Sequence, residues 1–326
     1  VVLDGSDPAV IDRAARALAA GELVAFPTET VYGLGARADD DVAVGRIFSA
    51  KGRPPGHPLI VHVADAEGAR VFASQVPPVA LRLVAAFWPG PLTVIVPRAA
   101  GIAAAAAGGQ GSVGLRCPSH PVARALLAAA RAHGVPGVAA PSANHFGRIS
   151  PTEARHVADE FDPGLMVVDG GACEVGIESS IVDCSRGHPV LLRPGLLTRA
   201  AIEAAAGEPL RERDDDAPRA SGTLDAHYAP RAPLRLMPRA QLHAALQRVA
   251  GSAVGLAVYS SPLPAGLGSG LRQRVMPGRA ADAAHELFSV LRAFDDEGAQ
   301  LIWVEEPPAT PEWEGVRDRL RRAAAS

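Results

Sequence analysis

The chain has 326 residues, enough for one large domain or two, and its 48% apolar content supplies a buried core for each. A formal charge of -3 and a pI near 6.4 argue against a protein that grips nucleic acid by bulk electrostatics, so direct binding of nucleic acid is expected to be weak or absent. Cys117, Cys173 and Cys184 are far apart with no CxxC pair, which leaves no disulfide framework or zinc site, and GIAAAAAGG is too short and weakly apolar to span a bilayer. The expectation is a cytoplasmic protein.

The first element is a helix with Asp7 as N-cap, Pro8 in the first turn, Ile11, Ala14, Ala15 and Leu18 on one face and Gly21 as the stop. The strand LVAFP follows, and then FPTETVYGLG reads as a turn that presents Thr28, Glu29, Thr30 and Tyr32 and is closed by Gly33 and Gly35. Helical patterns at 41–50, 79–87, 121–133, 152–160 and 198–206 alternate with the strand-like runs LIVHV, LTVIV, VGLRC, GVAA, LMVVD, SIVDC and PVLLR. Such alternation predicts an α/β domain with a twisted mixed sheet and flanking helices over 1–207. Residues 208–230 are charged, rich in proline and without apolar period, and read as a linker. The strands LRLM, VGLAVYS, QRVM and LIWVEE and helices at 239–250, 279–293 and 311–324 then predict a smaller Rossmann-like α/β domain over 231–326.

There is no GxxxxGK[ST], HExxH, GxSxG or DxDxDG. GGQGSVG carries GxGxxG spacing but leads into LRCPSHP, whose prolines forbid the helix a dinucleotide fingerprint needs. What remains is polar residues at strand ends, where open α/β sheets place ligands. Lys51 is the sole lysine among 32 Lys plus Arg, and with Arg53 and His57 it sits in the Gly/Pro-rich stretch AKGRPPGHPLIVHV ahead of His62. A compact ammonium meets phosphate as a point charge, unlike arginine's planar fork. Arg116 interrupts an apolar strand and needs an anionic partner, which could be a core carboxylate or a ligand. APSANHFGRISPTE offers Ser142, Asn144, Arg148 and Ser150, with SPTE also having the form of a helix capping box. GIESSIVDC and VLLRPG add Ser179, Ser180 and Arg193. Hydroxyls and cations without a nucleophile, base and orienting acid suit the holding of a nucleoside triphosphate and a small zwitterion in line.

FPTETVYGLG, KGRPPGHPLIVHV, WPGPLTVIV, APSANHFGRISPT, ESSIVD and LRPG, in that order, resemble the Sua5/YciO/YrdC family, and HYAP before a second domain resembles its two-domain Sua5 type. The resemblance implies a YrdC-like catalytic domain and synthesis of threonylcarbamoyl-AMP from L-threonine, bicarbonate and ATP for tRNA t6A modification, with Mg²⁺ bound mainly through the triphosphate and no dedicated metal ligands. It also implies hand-off of the product to a tRNA threonylcarbamoyl-transfer complex. By the same resemblance Thr30, His62, Arg116, Ala140 and Ser180 would surround threonine. Lys51, Arg53, His57, Ser112, Ser142, Ser150, Arg193 and Tyr228 would hold ATP, with Lys51 and Arg53 closest to the chemistry and Tyr228 closing from the linker. A non-catalytic RNA-binding module of the same fold is the alternative, against which the acidic charge and 4% aromatic content count.

Overall fold

Helix α1, Pro8–Ala19, starts where Asp7 accepts a hydrogen bond from the Ala9 amide and ends before Gly21, whose φ of 79° only glycine adopts without strain. Its buried stripe of Ile11, Ala14, Ala15 and Leu18 is the one the apolar spacing predicts. The structure is a computed structural model that describes residues 1–249, 255–264 and 271–326. The end of the expected helix 239–250 and the start of the strand VGLAVYS lie outside the described residues.

One unit comprises Val1–Phe146 and Ser150–Thr223, and a second comprises Gly147–Ile149 and Leu224–Ser326. In the first, the strands are β1 Val2–Asp4, β2 Val24–Phe26, β3 Gly33–Arg37, β4 Ile60–His62, β5 Leu92–Pro97, β6 Ser112–Arg116, β7 Val138–Ala139, β8 Met166–Asp169, β9 Ser180–Asp183 and β10 Val190–Arg193. They form one mixed sheet in the order β1-β8-β2-β3-β7-β4-β6-β5-β9-β10. The helices after α1 are α2 Asp41–Lys51, α3 Ala66–Phe72, α4 Pro78–Phe87, α5 Pro121–Ala132, α6 Ala154–Ala158 and α7 Arg199–Ala206.

Period-two alternation divides the strands between two faces. On one face Ala25, Leu34, Val61, Val94 and Leu115 pack with Val44 and Ile47 of α2, Phe72 of α3, Leu83 of α4 and Ile202 of α7. On the other, Val24, Phe26 and Val138 pack with Leu18 of α1 and Leu126 of α5. Further along this second face, Ile60, Ile95, Ile181, Val190 and Leu192 are covered instead by Ala217 and Ala220 of the segment after α7. On this second face the helical cover therefore stops short of β4 and β6, which carry the polar side chains described below.

Two expectations are corrected. Gly33 and Gly35 do not close a turn; they lie in β3, antiparallel to β2 with Val24 opposite Gly35. A Cβ at Gly35 would fall 2.8 Å from both Phe26 Cε1 and Val138 Cγ1, so glycine is used here for close packing. The SPTE sequence is not a capping box: α6 begins at Ala154 after Glu153, and the Ser150 hydroxyl is directed to the Glu178 carboxylate. β1 and α3 carry too few periodic positions to be read from the sequence.

In the second unit β11 Leu234–Met237, β12 Leu256–Ser260, β13 Arg272–Val275 and β14 Leu301–Glu305 form a wholly parallel sheet in the order β11-β14-β12-β13. Leu242 and Leu246 of α8, Arg239–Val249, pack on Val258 and Trp303. Helix α9, Ala280–Asp296, buries Leu287, Phe288, Leu291 and Phe294, and α10, Glu314–Ala324, buries Val316 and Leu320 after a short 3-10 turn at Pro311–Trp313. Parallel strands alternating with helices are the Rossmann-like pattern the sequence predicts.

Gly35→Ala is expected to destabilise the first unit by roughly 1–3 kcal/mol through overpacking against Phe26 and Val138. Urea unfolding checks this: the midpoint should fall, and an unchanged midpoint would show that the two side chains yield freely.

Candidate active site

The register of β4 and β6 places His62 beside Arg116, so both side chains leave the sheet on the face that Ile60 and Gly114 also occupy. Arg116 is 3% exposed, and its Nη2 lies 2.7 Å from Oε1 of Glu29, itself 3% exposed. Glu29 comes from the loop between β2 and β3. Thr28 shapes that loop: its hydroxyl donates to the Val31 carbonyl at 2.7 Å and accepts from the Thr30 and Val31 amides. The Thr30 hydroxyl is buried against that of Thr28 at 2.8 Å. The second carboxylate oxygen of Glu29 accepts from the Ser119 amide at 3.1 Å, and its carbonyl accepts from Val175 at 2.7 Å, so both ends of the residue are fixed.

Gly90 and Pro91 tie this corner to β9, because the Gly90 carbonyl accepts from Arg116 Nε at 3.4 Å and the Pro91 carbonyl from the Ser180 amide at 3.0 Å. Gly195 closes in beside it, where a Cβ would stand 2.8 Å from the Ser180 hydroxyl. Glu29 Oε1, Arg116 Nη2, His62 Nδ1 and Ser180 Oγ are all buried without a hydrogen-bond partner among the described residues. The first two answer each other as an ion pair without an aligned hydrogen bond; folded chains seldom leave such atoms without hydrogen bonds, which makes these four candidates for contact with a polar ligand. Burial, reinforced by the Arg116 charge, pushes the His62 imidazolium down to about 3, so the ring is neutral at physiological pH. Ala140, buried behind Gly33, contributes only a methyl surface.

The cation set gathers around a second pair of loops. Lys51, the last residue of α2, is 2% exposed, and its ammonium donates to the Ser142 carbonyl at 2.5 Å and to the Asn144 carbonyl. The Phe146 amide returns a bond to the Lys51 carbonyl at 2.9 Å. Phe146 also receives the Arg53 guanidinium, 5.6 Å from its ring centre, and the His57 ring edge-on at 5.5 Å. The 51–58 and 142–146 loops thus clasp each other. Burial, then the Arg53 charge, pushes the Lys51 ammonium down to about 7. His57 is also lowered, by burial and then by Arg53 and Arg219.

Ser112 opens β6 opposite Pro97. Arg193, at the end of β10, donates to the Ser179 carbonyl at 3.0 Å and hydroxyl at 3.2 Å and to the Ser221 carbonyl at 3.0 Å. Ser221 belongs to the stretch that covers Ile60, Ile95 and Ile181. Arg219 anchors that stretch, its amide donating to Gln110 Oε1 at 2.8 Å and its carbonyl accepting from Gln110 Nε2 at 3.1 Å. Beneath it remains a cavity of about 20 Å³ between Ser112, Gly114, Thr93 and Ala220, too small for a nucleotide with this cover in place. Part of the expected linker is therefore a strap on the sheet. Tyr228 and Arg148 lie in the second unit, Tyr228 with φ of 64° and its ring 5.6 Å from Phe288, and Arg148 bridged to Ala229.

The sequence names Glu29 among the polar residues of FPTETVYGLG without giving it a role, and Arg116's need for a carboxylate is the signal that could have supplied one; nothing local marks Gln110 or Glu178. A neutral buried His62 makes folding pH-dependent, since the unfolded chain takes up a proton near 6.5 that the folded ring refuses until about 3. This contribution to stability is complete above pH 6.5 and is lost as pH falls toward 3. His62→Gln should flatten the pH dependence of urea unfolding over that window, and curves parallel to wild type would contradict the assignment.

Two family models match in succession. One described as "Telomere recombination", the Sua5/YciO/YrdC model, matches residues 16–195, and one described as "Threonylcarbamoyl-AMP synthase, C-terminal domain" matches 197–325. The chain is 37% identical to a threonylcarbamoyl-AMP synthase of Bacillus subtilis, covering 99% of this chain and 94% of that one. It is 37% identical to the same enzyme of Pyrococcus abyssi over 93% of this chain and 91% of that one. The crystal structure of P. abyssi Sua5 complexed with L-threonine superposes with a TM-score of 0.88 at 36% identity, covering 98% of this chain and 95% of that one. A two-domain architecture, a polar face between helical cover and strap, and this similarity along the whole chain agree: the chain belongs to the Sua5/YciO/YrdC family.

Proposed function

We propose that this chain forms L-threonylcarbamoyl-AMP and pyrophosphate from L-threonine, bicarbonate and ATP. The observation that carries the reading is the full-length likeness to a Sua5 protein solved with L-threonine, with unpartnered buried polar atoms in the matching unit. In the first step the threonine ammonium gives up a proton and its nitrogen bonds to the bicarbonate carbon, whose hydroxyl leaves as water with a second nitrogen proton, giving a carbamate. In the second, a carbamate oxygen bonds to the α-phosphorus of ATP as the bond to the pyrophosphate oxygen breaks. Neither step needs a protein nucleophile; alignment and charge stabilisation suffice.

In this reading Arg116 pairs with the threonine carboxylate, while His62, Thr30, Ser180 and the methyl of Ala140 enclose the rest of the amino acid. His62 is neutral there, so it adds a hydrogen-bonding group without a second charge. Arg53, His57, Ser112 and Ser142 face the nucleotide. Lys51, Ser150 and Arg193 serve it through the backbone and side chains they already hold: the carbonyls of Ser142 and Asn144, the Glu178 carboxylate, and Ser179 with Ser221. The strap must leave the sheet for ATP to enter, and Tyr228 would close over the bound nucleotide. Mg²⁺ accompanies the triphosphate and neutralises phosphate charge; among the described residues no group of three or more His, Cys, Asp or Glu is placed to hold a metal, so phosphate oxygens would be its main ligands.

The product is a reactive mixed anhydride, which favours direct transfer to a tRNA threonylcarbamoyl-transfer complex. We place these reactions in the cytoplasm, where the substrates meet; among the described residues no helix is long and apolar enough to cross a membrane.

Pyrophosphate release tests the proposal. It should require threonine, bicarbonate and ATP together, and release that is indifferent to threonine would overturn it. Lys51→Arg should lower kcat/KM more than tenfold, about 1.4 kcal/mol of transition-state stabilisation, because the slot between the two carbonyls takes one compact ammonium. Full activity in that variant would mean the slot accepts a planar fork.

A further inference from the structure

We infer that Glu29 is the receptor for the amino group of the amino-acid substrate, and that with Arg116 it forms a two-charge recognition element for a zwitterion. The inference deepens the functional reading above and rests on it.

An α-amino acid presents its ammonium and carboxylate side by side. Glu29 and Arg116 present the complementary charges side by side, 2.7 Å apart and both 3% exposed. The contact between them is close but does not have hydrogen-bond alignment: Glu29 Oε1 and Arg116 Nη2 are both buried atoms without a hydrogen-bond partner among the described residues. The ion pair thus holds the two charges together without using an aligned hydrogen bond of either atom. His62, the register neighbour of Arg116, and Ser180 carry two more buried atoms, Nδ1 and Oγ, without a hydrogen-bond partner among the described residues. Glu29 cannot simply turn away to serve another role, because its other oxygen is fixed by the Ser119 amide and its carbonyl by Val175.

The same placement gives the reaction a direction. Before carboxylation the amine carries positive charge and is held by the Glu29 carboxylate. The ammonium first gives up a proton to solvent. Its nitrogen then bonds to the bicarbonate carbon as the carbon–hydroxyl bond breaks and the hydroxyl leaves with a second nitrogen proton as water. The resulting carbamate is negative, and Glu29 repels it while Arg116 still holds the other end. The new anion is then free to turn toward the nucleotide.

Calorimetric titration of the full-length protein with L-threonine and with 3-hydroxybutyrate, which is threonine without its amino group, tests this. Wild type should bind threonine at least roughly tenfold more tightly than 3-hydroxybutyrate. Glu29→Gln keeps an acceptor for the Ser119 amide but loses the charge, and should bring the two affinities together by weakening threonine alone, raising KM for threonine with KM for ATP unchanged. Glu29→Asp, which keeps the carboxylate, should retain the discrimination and serves as the control if Glu29→Gln folds poorly. Equal loss of both ligands in Glu29→Gln would reduce Glu29 to a prop for Arg116 and overturn the inference, as would no change in either. Wild-type protein that binds no threonine would remove the functional reading as well, whereas normal wild-type turnover with an unaltered Glu29→Gln would remove only the role of Glu29.

Discussion

A guanidinium in the interior of a sheet must be given a counter-charge, and this requirement at Arg116 organises the catalytic unit. Leaving one partner of such a buried pair alone costs roughly 3–5 kcal/mol. Glu29 meets the need at 2.7 Å, and to do so the chain between β2 and β3 must come across the end of β6. The hydroxyl of Thr28 makes that path possible by tying its own loop, and Gly33 and Gly35 then let β3 lie close against Phe26 and Ala140. The same pair brings His62, Thr30 and Ser180 into one neighbourhood. A group of buried polar side chains thus comes at little additional structural expense from the pairing that the fold demands.

Around that corner the sheet is covered in two different ways. Helices α1 and α5 cover β2 and β7 with apolar side chains. Over β5, β9 and β10 the cover is two alanines and a few polar bonds from Gln110 and Arg193 to residues 219–221. Water can replace those bonds, but parting them would also expose Ile60, Ile95, Ile181, Val190 and Leu192, so apolar burial holds this cover as well. The division places this lighter cover above Ser112 and Gly114. Lys51 works on the rigid side of the same boundary, its ammonium drawing two carbonyls together and fixing the 142–146 loop against the 51–58 loop.

Much of this was legible in the residues because the signals were local. The cap and stop of α1, the apolar runs of β4 to β6 and the parallel alternation of the second unit all follow from spacing and turn chemistry. The polar residues of the site were legible as types at strand ends, and Arg116 as a charge needing a partner. What stayed hidden is non-local. The identity of that partner, the strap made from a stretch that reads as linker, and the Ser150 to Glu178 contact in place of a helix cap all depend on residues distant in sequence. β3 was missed because its glycines serve close packing, which sequence reading cannot distinguish from their use in turns.

The central claim is that the bicarbonate carbon is built into an adenylate on this chain. Mass spectrometry of the product formed from ATP, Mg²⁺, L-threonine and ¹³C-labelled bicarbonate tests it most directly. The account predicts a threonine-containing adenylate heavier by a single mass unit than that formed from unlabelled bicarbonate. An adenylate of unchanged mass, in which threonine is joined to AMP without the bicarbonate carbon, would contradict it.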